Sequence, residues 1–530
     1  MKAARARAIL AALTILITVL AVSSVRLDSA TADEGAHIAA GLVRLQHGSF
    51  RFFAEQPPLM NVLSAIPLAL DGVRVPPLWQ TENHWTVGHA LLYLSGYSPP
   101  RILFLARLPT IALFLALCVA VWWFVRDQTG SETWALVAFL MTGLCPNLLA
   151  HGRLATVDLA ATAFLFIATA LFLRLLREPS KAVAIGAGAA AACAILSKTS
   201  GLIVGPWLAL LLVVHLVRRR PWRPLVVPLV LVFASSVVVV YATYLLLARD
   251  QSLAGAITLP FREYAQSVEH IRHWYTKGHE HPQFLMGEFS RREGWPHYYF
   301  VAFLLKVPIG AQILFLVSCV IAVRRRSAAL LTCVGFVFLV LAISATSHID
   351  LGIRYVLPIF PFVYAAIAIA LADAARDAGP HRKALGILVA ALIAWHALAG
   401  VLAYPSYISY FNEWIGSPRN ADRFLIDSNL DWGQDLHRLR LWCDANGVEF
   451  IRVDYFGGGE PRYELGPRAE RWPAPRRRLL PKGWFALSRH FYRTSFDPLE
   501  SPVDYDTYLA ASKARYVTTV GGSIDVYRVD

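Results

Sequence analysis

Long apolar segments recur along this chain, and they constrain its fold more than any other feature. A helix needs about 20 apolar residues to cross the hydrocarbon core of a bilayer. The mean hydropathy is +0.48 and 16% of the residues are charged, values typical of a membrane protein with many spans. The sequence therefore predicts a mostly α-helical polytopic bundle of eleven spans, at residues 9–25, 102–125, 132–150, 157–176, 183–197, 201–217, 224–247, 298–322, 328–346, 356–373 and 384–403.

Basic residues lie in short clusters between the apolar segments. If eleven spans alternate in direction, all of these clusters fall on one side, which the positive-inside rule identifies as cytoplasmic. The clusters are Lys2/Arg5/Arg7, Arg126, Arg174/Arg177/Lys181, Arg218-Arg219-Arg220, Arg324-Arg325-Arg326 and Arg376/Arg382/Lys383. The N-terminus is then cytoplasmic and the C-terminal region lies outside. Because topology explains the net charge of +14, nucleic acid is not an expected partner.

The composition of the chain changes after residue 403. Residues 1–403 form the predicted transmembrane domain, and residues 404–530 form a predicted small outer domain of α/β or α+β type. In the outer domain we expect a helix at Asp435–Asn446, strands at Glu449–Phe456, Gly483–Leu487 and Ala514–Val526, and a loop at Glu464–Pro481. The first apolar segment would suit a signal peptide, but we expect a retained span because many spans follow it.

Two long outer loops are predicted in the transmembrane domain, at 26–101 and 248–297. Within the first loop, Glu34–Gln46 has apolar residues near a helical period and predicts an amphipathic helix lying on the membrane. Leu59–Leu70 is too short to span, so we expect an interfacial or re-entrant helix there.

Cysteine and histidine usage predicts neither structural disulfides nor a metal site. Five of the six cysteines lie in apolar segments, and Cys443 is alone in the C-terminal region. His270, His273, His279 and His281 lie together in the second outer loop, but the last two do not share a helical face. A divalent ion held by Glu55 and one of these histidines stays open, and no cofactor is predicted.

Acidic and basic residues also converge at the predicted outer ends of the spans. Charges near a lipid bilayer are costly, so a group of them at one face suggests a functional site. Cations there would hold a lipid phosphate, and acids would bind or activate a hydroxyl or an amine. The candidates are Asp33, Glu34, Glu55, His151, Arg153, Asp158, Lys198, His348, Asp350 and Arg354.

Five of these candidates also have a purely structural interpretation. Asp33, Glu34 and Asp158 would suit the N-terminal caps of the helices that follow them. Lys198 would extend to the interface, and Arg354 would pair with Asp350.

The first outer loop carries the segments Ala32-Asp33-Glu34, Gly48–Phe52 and Glu55–Leu59. Further motifs follow at His151–Asp158, Leu196–Leu202, His348–Pro358, Tyr407–Glu413 and Asp427–Leu436. Together these segments resemble polyprenyl-phosphate-dependent glycosyltransferases of the GT-C superfamily, which include the protein O-mannosyltransferases and the lipid A aminoarabinose transferases. Gln56 stands where many bacterial relatives have histidine.

This resemblance implies an enzyme of a bacterial inner membrane that moves a sugar from a polyprenyl-phosphate donor to an acceptor hydroxyl or amine, with inversion. It implies Asp33 as the general base and Glu34 as a residue that orients the base or the acceptor. Arg354, Lys198 and Arg153 would bind the phosphate, and Asp158 the acceptor or the sugar. Glu55, His348 and Asp350 complete the expected substrate-binding residues.

Two other classes of function were weighed against an enzyme. A transporter or flippase of polyprenyl-linked sugars would also need intramembrane charges and a lipid-phosphate site. However, the chain has no inverted repeat, and its charges lie at one face rather than along a path. A scaffold or sensor that acts through the C-terminal region would leave Asp33 without a purpose. A protein, a lipid and a glycan stay open as the acceptor.

Overall fold

The computed structural model describes residues 3–53, 55–218, 221–249, 251–277, 282–376, 382–472, 479–497, 499 and 504–530. The chain begins with an apolar helix and a compact outer loop of three further helices. These are α1 (Ala3–Val25), α2 (Glu34–His47), α3 (Leu59–Leu70) and α4 (His84–Tyr93). The short helix predicted at 59–70 is therefore confirmed.

The burial of α2 differs from the sequence prediction. We expected an amphipathic helix lying on the membrane, but every residue from Glu34 to Arg44 is buried. Two glycines permit this close packing: a Cβ atom on Gly41 would lie 2.0 Å from the Asn61 carbonyl oxygen of α3, and one on Gly88 of α4 would lie 2.5 Å from the Gly35 carbonyl carbon. The α2 helix is thus enclosed by its neighbours.

Apolar helices form the bulk of the molecule. The next helices in the chain are α5 (Pro99–Thr129), α6 (Glu132–Gly143), α7 (Pro146–His151), α8 (Asp158–Arg177), α9 (Lys181–Ser197), α10 (Val204–Val217) and α11 (Val226–Leu247). The second outer loop and the remaining apolar helices follow as α12 (Leu253–Lys277), β1 (Gln283–Leu285), β2 (Glu288–Ser290), α13 (Tyr298–Lys306), α14 (Ile309–Arg325), α15 (Ala328–Ser344), α16 (Ile359–Arg376) and α17 (Arg382–Leu402).

All eleven predicted spans coincide with helices, but two are not continuous. Residues 132–150 form α6 and α7, and residues 298–322 form α13 and α14. Each break directly precedes a proline, Pro146 or Pro308, which lacks a backbone N–H and disfavours a helical conformation in the residue before it. Among the described residues, seven helices are long and apolar enough to cross a membrane. The chain is a polytopic membrane protein, and the count of eleven spans stays a prediction.

The C-terminal region contains a mixed sheet with short helices. Its elements are α18 (Leu436–Ala445), β3 (Ile451–Asp454), α19 (Pro461–Leu465), β4 (Ala469–Arg471), β5 (Gly483–Ser488), α20 (Arg489–Thr494), α21 (Tyr505–Ala511), β6 (Arg515–Val520) and β7 (Ile524–Val529). Within the described residues the strand order is β4-β3-β5-β7-β6, with β3 parallel to both β4 and β5 and the other pairs antiparallel.

The helix predicted at 435–446 is confirmed, but two details of the sheet were wrong. The segment expected as one strand at 514–526 covers β6 and the beginning of β7, with a turn at Gly521 and Gly522. The segment expected as a loop at 464–481 contains β4, while Arg476-Arg477-Arg478 lie outside the described residues.

The hydrophobic core of the membrane helices continues into the C-terminal region. Tyr407, Leu425 and Trp432 are buried in the same cluster as Phe336 and Phe360. The sheet has its own two clusters, built around Leu439 and Phe485. Residues 407–432 therefore pack as a part of the membrane region, and the division at 403/404 stays a prediction.

Candidate active site

Asp33 lies immediately before α2, where the first outer loop meets the end of α1. It occupies the N-cap position, but its side chain makes no cap hydrogen bond. Instead Oδ2 accepts a hydrogen bond from Arg354 Nη1 at 2.7 Å, and 21% of the Asp33 side chain is exposed. The Asp33 side chain therefore does not cap α2, and its partly exposed carboxylate belongs to an ion pair.

Arg354 is the central cation of the site. It lies in a short 3-10 turn at Ile353–Val356, and its guanidinium packs over the ring of Trp432 at 4.3 Å and the ring of Tyr355 at 5.1 Å. Burial alone would lower the pKa of Arg354, but the Asp33 carboxylate and neighbouring acids raise it above the usual value. Arg354 is thus a fixed positive charge, and its partners are Asp33 and Asp158 rather than Asp350.

Asp158 and Lys198 extend this ion pair into a chain of four charges. Asp158 opens α8 and Lys198 follows α9, so the adjacent ends of these helices bring them together. Lys198 Nζ donates to Asp158 Oδ1 at 2.6 Å, and Arg354 Nη1 lies 3.8 Å from Asp158 Oδ2. Lys198 also lies 4.6 Å from the ring of Tyr355. The capping role for Asp158 and the interfacial role for Lys198 are therefore not observed.

Glu34, the neighbour of Asp33, is sealed inside the protein. Arg107 of α5 donates to both of its oxygens, at 2.7 and 2.6 Å. The backbone N–H groups of Thr31 and Ala155 and the Thr31 hydroxyl complete its partners. Burial alone would raise the pKa of Glu34, but Arg107 and these donors hold it below the usual value. With 0% of its side chain exposed, Glu34 does not reach the open part of the site.

Arg153 is also sealed, in a different ion network. It pairs with Asp28, which receives a second guanidinium from Arg438 at 2.6 Å. Arg438 in turn pairs with Asp435. This network joins the start of the first outer loop to the C-terminal region, so Arg153 is not placed with Asp33 and Arg354.

His348 and Asp350 lie in the loop before Arg354, where they shape the backbone. The His348 carbonyl oxygen accepts from Gln283 at 3.0 Å, and Asp350 Oδ2 accepts from the Trp295 N–H at 2.6 Å. Burial raises the pKa of Asp350 to about 7. Both residues connect the second outer loop to the segment that carries Arg354.

Glu55 lies apart from the four-charge chain, between two histidines. Its Oε1 is 3.8 Å from His84 Nε2 and 3.7 Å from His270 Nε2. Burial, together with the charges of His37 and His270, lowers the pKa of His84 to about 4, against the raising effect of Asp33. No group of three or more His, Cys, Asp or Glu residues suited to a metal ion occurs in the part of the chain that the structure describes. His279 and His281 lie outside that part.

The segment 427–434 completes the site from the C-terminal region. Its backbone holds the approach to Asp33, because the Trp432 and Gln434 carbonyl oxygens accept from the N–H groups of Ala32 and Ser29, each at 3.0 Å. The Asn429 side-chain oxygen accepts from the Ile353 N–H at 2.9 Å, directly before Arg354. The segment 427–436 belongs to the motifs of the family resemblance, but nothing in its sequence indicates that Trp432 covers Arg354.

The acidic residues of that motif are satisfied internally. Asp431 accepts hydrogen bonds from Ser488 and from the N–H groups of His490 and Gly433. Asp435 accepts from Ser523 and pairs with Arg438. Both acids therefore have protein partners, and the segment forms the turn that leads into α18.

Together, the fold and the site define a polytopic membrane protein with a partly open chain of acids and cations at the ends of its spans. Residues 102–244 match the sequence profile of the family described as dolichyl-phosphate-mannose-protein mannosyltransferase. A comparison with curated protein sequences finds no match.

Several solved structures resemble the chain at low identity. ArnT from Cupriavidus metallidurans in the apo state is 14% identical with a TM-score of 0.49, and the alignment covers 100% of this chain and 99% of ArnT. The oligosaccharyltransferase AglB from Archaeoglobus fulgidus is 11% identical with a TM-score of 0.48, covering 99% and 74%. The Saccharomyces cerevisiae Pmt1-Pmt2 protein O-mannosyltransferase complex is 14% identical with a TM-score of 0.37, covering 56% and 41%.

The family match confirms the resemblance to polyprenyl-phosphate-dependent glycosyltransferases that the sequence motifs predicted. It also confirms the predicted class of enzyme, a glycosyltransferase. The matched residues include Arg153, Asp158 and Lys198, while Asp33 and Arg354 lie outside them.

Proposed function

We propose that this protein transfers a sugar from a polyprenyl-phosphate donor to an acceptor hydroxyl or amine at the outer face of a bacterial inner membrane. The observation that carries the proposal is the chain Asp33–Arg354–Asp158–Lys198. It places two cations beside two carboxylates at the ends of spans, where a lipid phosphate would lie. The N-terminus is cytoplasmic in this proposal.

Arg354 and Lys198 bind the phosphate of the donor. A guanidinium suits a phosphate because it offers several donors in one plane. Arg354 Nη1 is already bonded to Asp33, so an arriving phosphate competes with that carboxylate for the same cation. The competition leaves the Asp33 carboxylate available as a proton acceptor while the donor is bound.

Asp33 is the general base of the reaction. The acceptor oxygen or nitrogen attacks the anomeric carbon from the face opposite the phosphate, and its proton passes to an Asp33 carboxylate oxygen. The bond from the anomeric carbon to the phosphate oxygen breaks, and the phosphate keeps the electron pair, stabilised by Arg354 and Lys198. The sugar configuration is inverted. Asp158 holds the two cations in place.

Four of the other predicted site residues receive positioning roles. Glu34 fixes the backbone of Asp33 through Arg107 and Thr31, so it acts without contacting substrate. Arg153 joins the first outer loop to the C-terminal region through Asp28. His348 and Asp350 hold the loop that presents Arg354.

Transfer from radiolabelled polyprenyl-phosphate sugars in membranes tests this proposal. We expect labelled acceptor with the wild type and none with Asp33→Asn, which keeps its fold and its binding of the lipid. Asp71→Asn is the matched control, because Asp71 is an acid of the same outer loop that pairs with Arg101. Full transfer by Asp33→Asn would exclude the base assignment. Donor crossing the bilayer with no acceptor labelled would favour a transporter.

A further inference from the structure

A second polar site lies between the two outer loops, away from the four-charge chain. It is a cavity of about 480 Å³ lined by Arg51, Glu55, Arg262, Glu263, Gln266 and His270. Arg262, Gln266 and His270 are four residues apart on α12, so they share one face of that helix. The first outer loop supplies the opposite wall.

The walls of this cavity are held in place by further contacts. The Ser267 hydroxyl of α12 donates to the Glu55 carbonyl oxygen at 3.1 Å. Behind the wall, buried Arg44 donates to the carbonyl oxygens of Phe53 and Gln56, at 2.5 and 2.9 Å. These contacts fix the segment that carries Glu55, so the cavity is built before a ligand arrives.

The charges in the cavity favour an anion. Arg51 and Arg262 are exposed to it, whereas Glu263 is only 5% exposed. Burial raises the pKa of Glu263 to about 7, against the lowering effect of Arg44 and Arg262, so a large fraction of this carboxyl is neutral near pH 7. The Glu55 carboxylate faces His84 and His270. The cavity therefore holds two arginine charges. Of its two carboxyl groups, Glu55 already faces two histidines and Glu263 is partly neutral, so the net charge favours an anion.

Aromatic side chains connect the wall of the cavity to the surroundings of Asp33, beginning with His84, which lies 3.8 Å from Glu55. Phe53 packs edge-on against His84 at 4.7 Å and against His37 at 5.4 Å, and the charge of Asp33 acts on both histidines. A molecule anchored in the cavity is close to the proposed base without occupying the positions of Arg354 and Lys198. In the proposed function, Arg354 and Lys198 bind the donor phosphate, so the arginines of the cavity are available for a different anion.

We infer that this cavity binds an anionic group of the acceptor, a phosphate or a carboxylate that is separate from the nucleophilic hydroxyl or amine. The inference rests on the proposed function, because it names a recognition feature of the second substrate. Arg51 and Arg262 contact the anion, and Gln266 and Glu263 offer hydrogen bonds to the polar groups next to it. They determine which acceptor is used and take no part in the chemical step.

Binding of inorganic phosphate to the purified full-length protein tests the anion site. The titration uses Arg354→Gln protein as the background, so that the donor site does not contribute. We expect the addition of Arg51→Gln and Arg262→Gln to weaken phosphate binding at least tenfold. The addition of Arg272→Gln instead leaves it unchanged, because Arg272 lies on the same helix but pairs with Glu269 outside the cavity. Equal affinity in all three proteins would overturn the inference.

A charge-preserving variant protects this test from a folding failure. Arg51→Lys with Arg262→Lys keeps both positive charges, and we expect it to bind phosphate within about threefold of the background protein. If the double glutamine variant unfolds, phosphate binding is compared between the double lysine variant and the two single variants, Arg51→Gln and Arg262→Gln. No loss in either single glutamine variant would then contradict the inference.

Inhibition of transfer by inorganic phosphate separates the acceptor from the donor. In membranes with labelled polyprenyl-phosphate sugar, we expect Arg51→Gln/Arg262→Gln to raise the inhibition constant of phosphate at least tenfold. More donor should not relieve the inhibition of the wild type. Relief by donor would place the cavity in the donor site and overturn the acceptor assignment. Absence of transfer in the wild type, with phosphate binding still dependent on both arginines, would contradict the proposed function and leave the anion site standing.

Discussion

Asp33 and Glu34 are adjacent carboxylates that the fold places in opposite environments. Asp33 is 21% exposed and makes one ion pair, with Arg354. Glu34 is fully buried and accepts five hydrogen bonds, from Arg107, Thr31 and Ala155. A carboxylate with spare acceptor capacity at an open face can take a proton from a substrate. A carboxylate whose lone pairs all accept hydrogen bonds from the protein can only stabilise the local structure. Asp33 is therefore suited to the chemical step, and Glu34 to positioning Asp33.

The start of α2 explains this division. Successive residues of a helix point about 100° apart, so side chains at the first two positions face different surroundings. Arg107 reaches Glu34 from α5 and also donates to the carbonyl oxygens of Val25, Asp28 and Ser29. The Arg107 guanidinium therefore fixes the turn that leads to Asp33 through three backbone carbonyl oxygens. The geometry of the proposed base therefore depends on the buried acid beside it.

Glu34→Gln should have the largest effect on stability of the changes considered. It leaves the Arg107 guanidinium buried without a countercharge, which typically costs about 3–5 kcal/mol. We expect a large drop in the melting temperature of the full-length protein in detergent, and little folded protein at 37 °C. Asp33→Asn is the comparison, and its melting temperature should stay within a few degrees of the wild type. Similar melting of both variants would contradict the division described above.

Arg354→Gln should weaken binding of the polyprenyl-phosphate donor. Loss of one partner of a partly buried charge pair costs roughly 2–5 kcal/mol in binding, so we expect the KM for the polyprenyl-phosphate donor to rise by about 100-fold. Steady-state transfer with varied donor measures this. Arg101→Gln is the control, since Arg101 pairs with Asp71 at an exposed site and such pairs contribute about 0–1 kcal/mol. An unchanged donor KM would remove Arg354 from the phosphate site.

Asn429→Ala tests whether the C-terminal segment positions Arg354. Asn429 is fully buried, and its backbone carbonyl oxygen, which the substitution keeps, accepts from Lys306 Nζ at 2.5 Å. The substitution leaves the Ile353 N–H without its acceptor, at a cost of about 1–3 kcal/mol. We expect a fall of about tenfold in kcat/KM and a lower melting temperature. Asn446→Ala, at an exposed helix end, should change neither, and an unaffected kcat/KM in Asn429→Ala would refute the positioning role.

The comparison of Asp33 with Glu34 also shows how far the sequence could lead. Apolar length predicted where the helices lie, and the charged residues at their ends included all four members of the chain around Asp158. The breaks before Pro146 and Pro308 were foreseeable from proline chemistry. By contrast, the partner of Glu34 is Arg107, 73 residues away, inside a segment that reads simply as a span. No local pattern distinguishes a carboxylate that will be sealed from one that will stay open.

Contacts between distant segments account for the other differences between the sequence predictions and the structure. The sequence predicts that α2 is an amphipathic helix on the membrane, but α3 and α4 pack against it, and their close approach depends on Gly41 and Gly88. Arg354 was expected either to bind a phosphate or to pair with Asp350, and only the three-dimensional path of the loop brings it to Asp33. The cover over Arg354 comes from Trp432, which the chain reaches after a further 78 positions. Such pairings require the whole fold.

Asp350→Asn should have the smallest effect, and it extends the comparison to a third acid. Burial raises the pKa of Asp350 to about 7, above that of an unfolded chain, so the folded state holds this proton more tightly. Stability therefore falls as pH rises from about 4 to about 7, and is constant above that range. Between pH 6 and pH 8 the proton lost by Asp350 costs about 1 kcal/mol. The melting temperature of the wild type should fall across this interval more than that of Asp350→Asn.

The contribution of Glu34 to stability changes with pH in the opposite direction to that of Asp350, so the two acids can be told apart by the pH dependence of the melting temperature. Its pKa is lowered in the folded protein, so its contribution to stability is present above its unfolded pKa and is lost as pH falls through the folded value. Asparagine at 350 keeps an oxygen that accepts from the Trp295 N–H, so Asp350→Asn removes the charge without removing that hydrogen bond. If the melting temperatures of wild type and Asp350→Asn run parallel from pH 6 to pH 8, Asp350 does not titrate in this interval. The result would contradict a pKa near 7 for Asp350 in the folded protein.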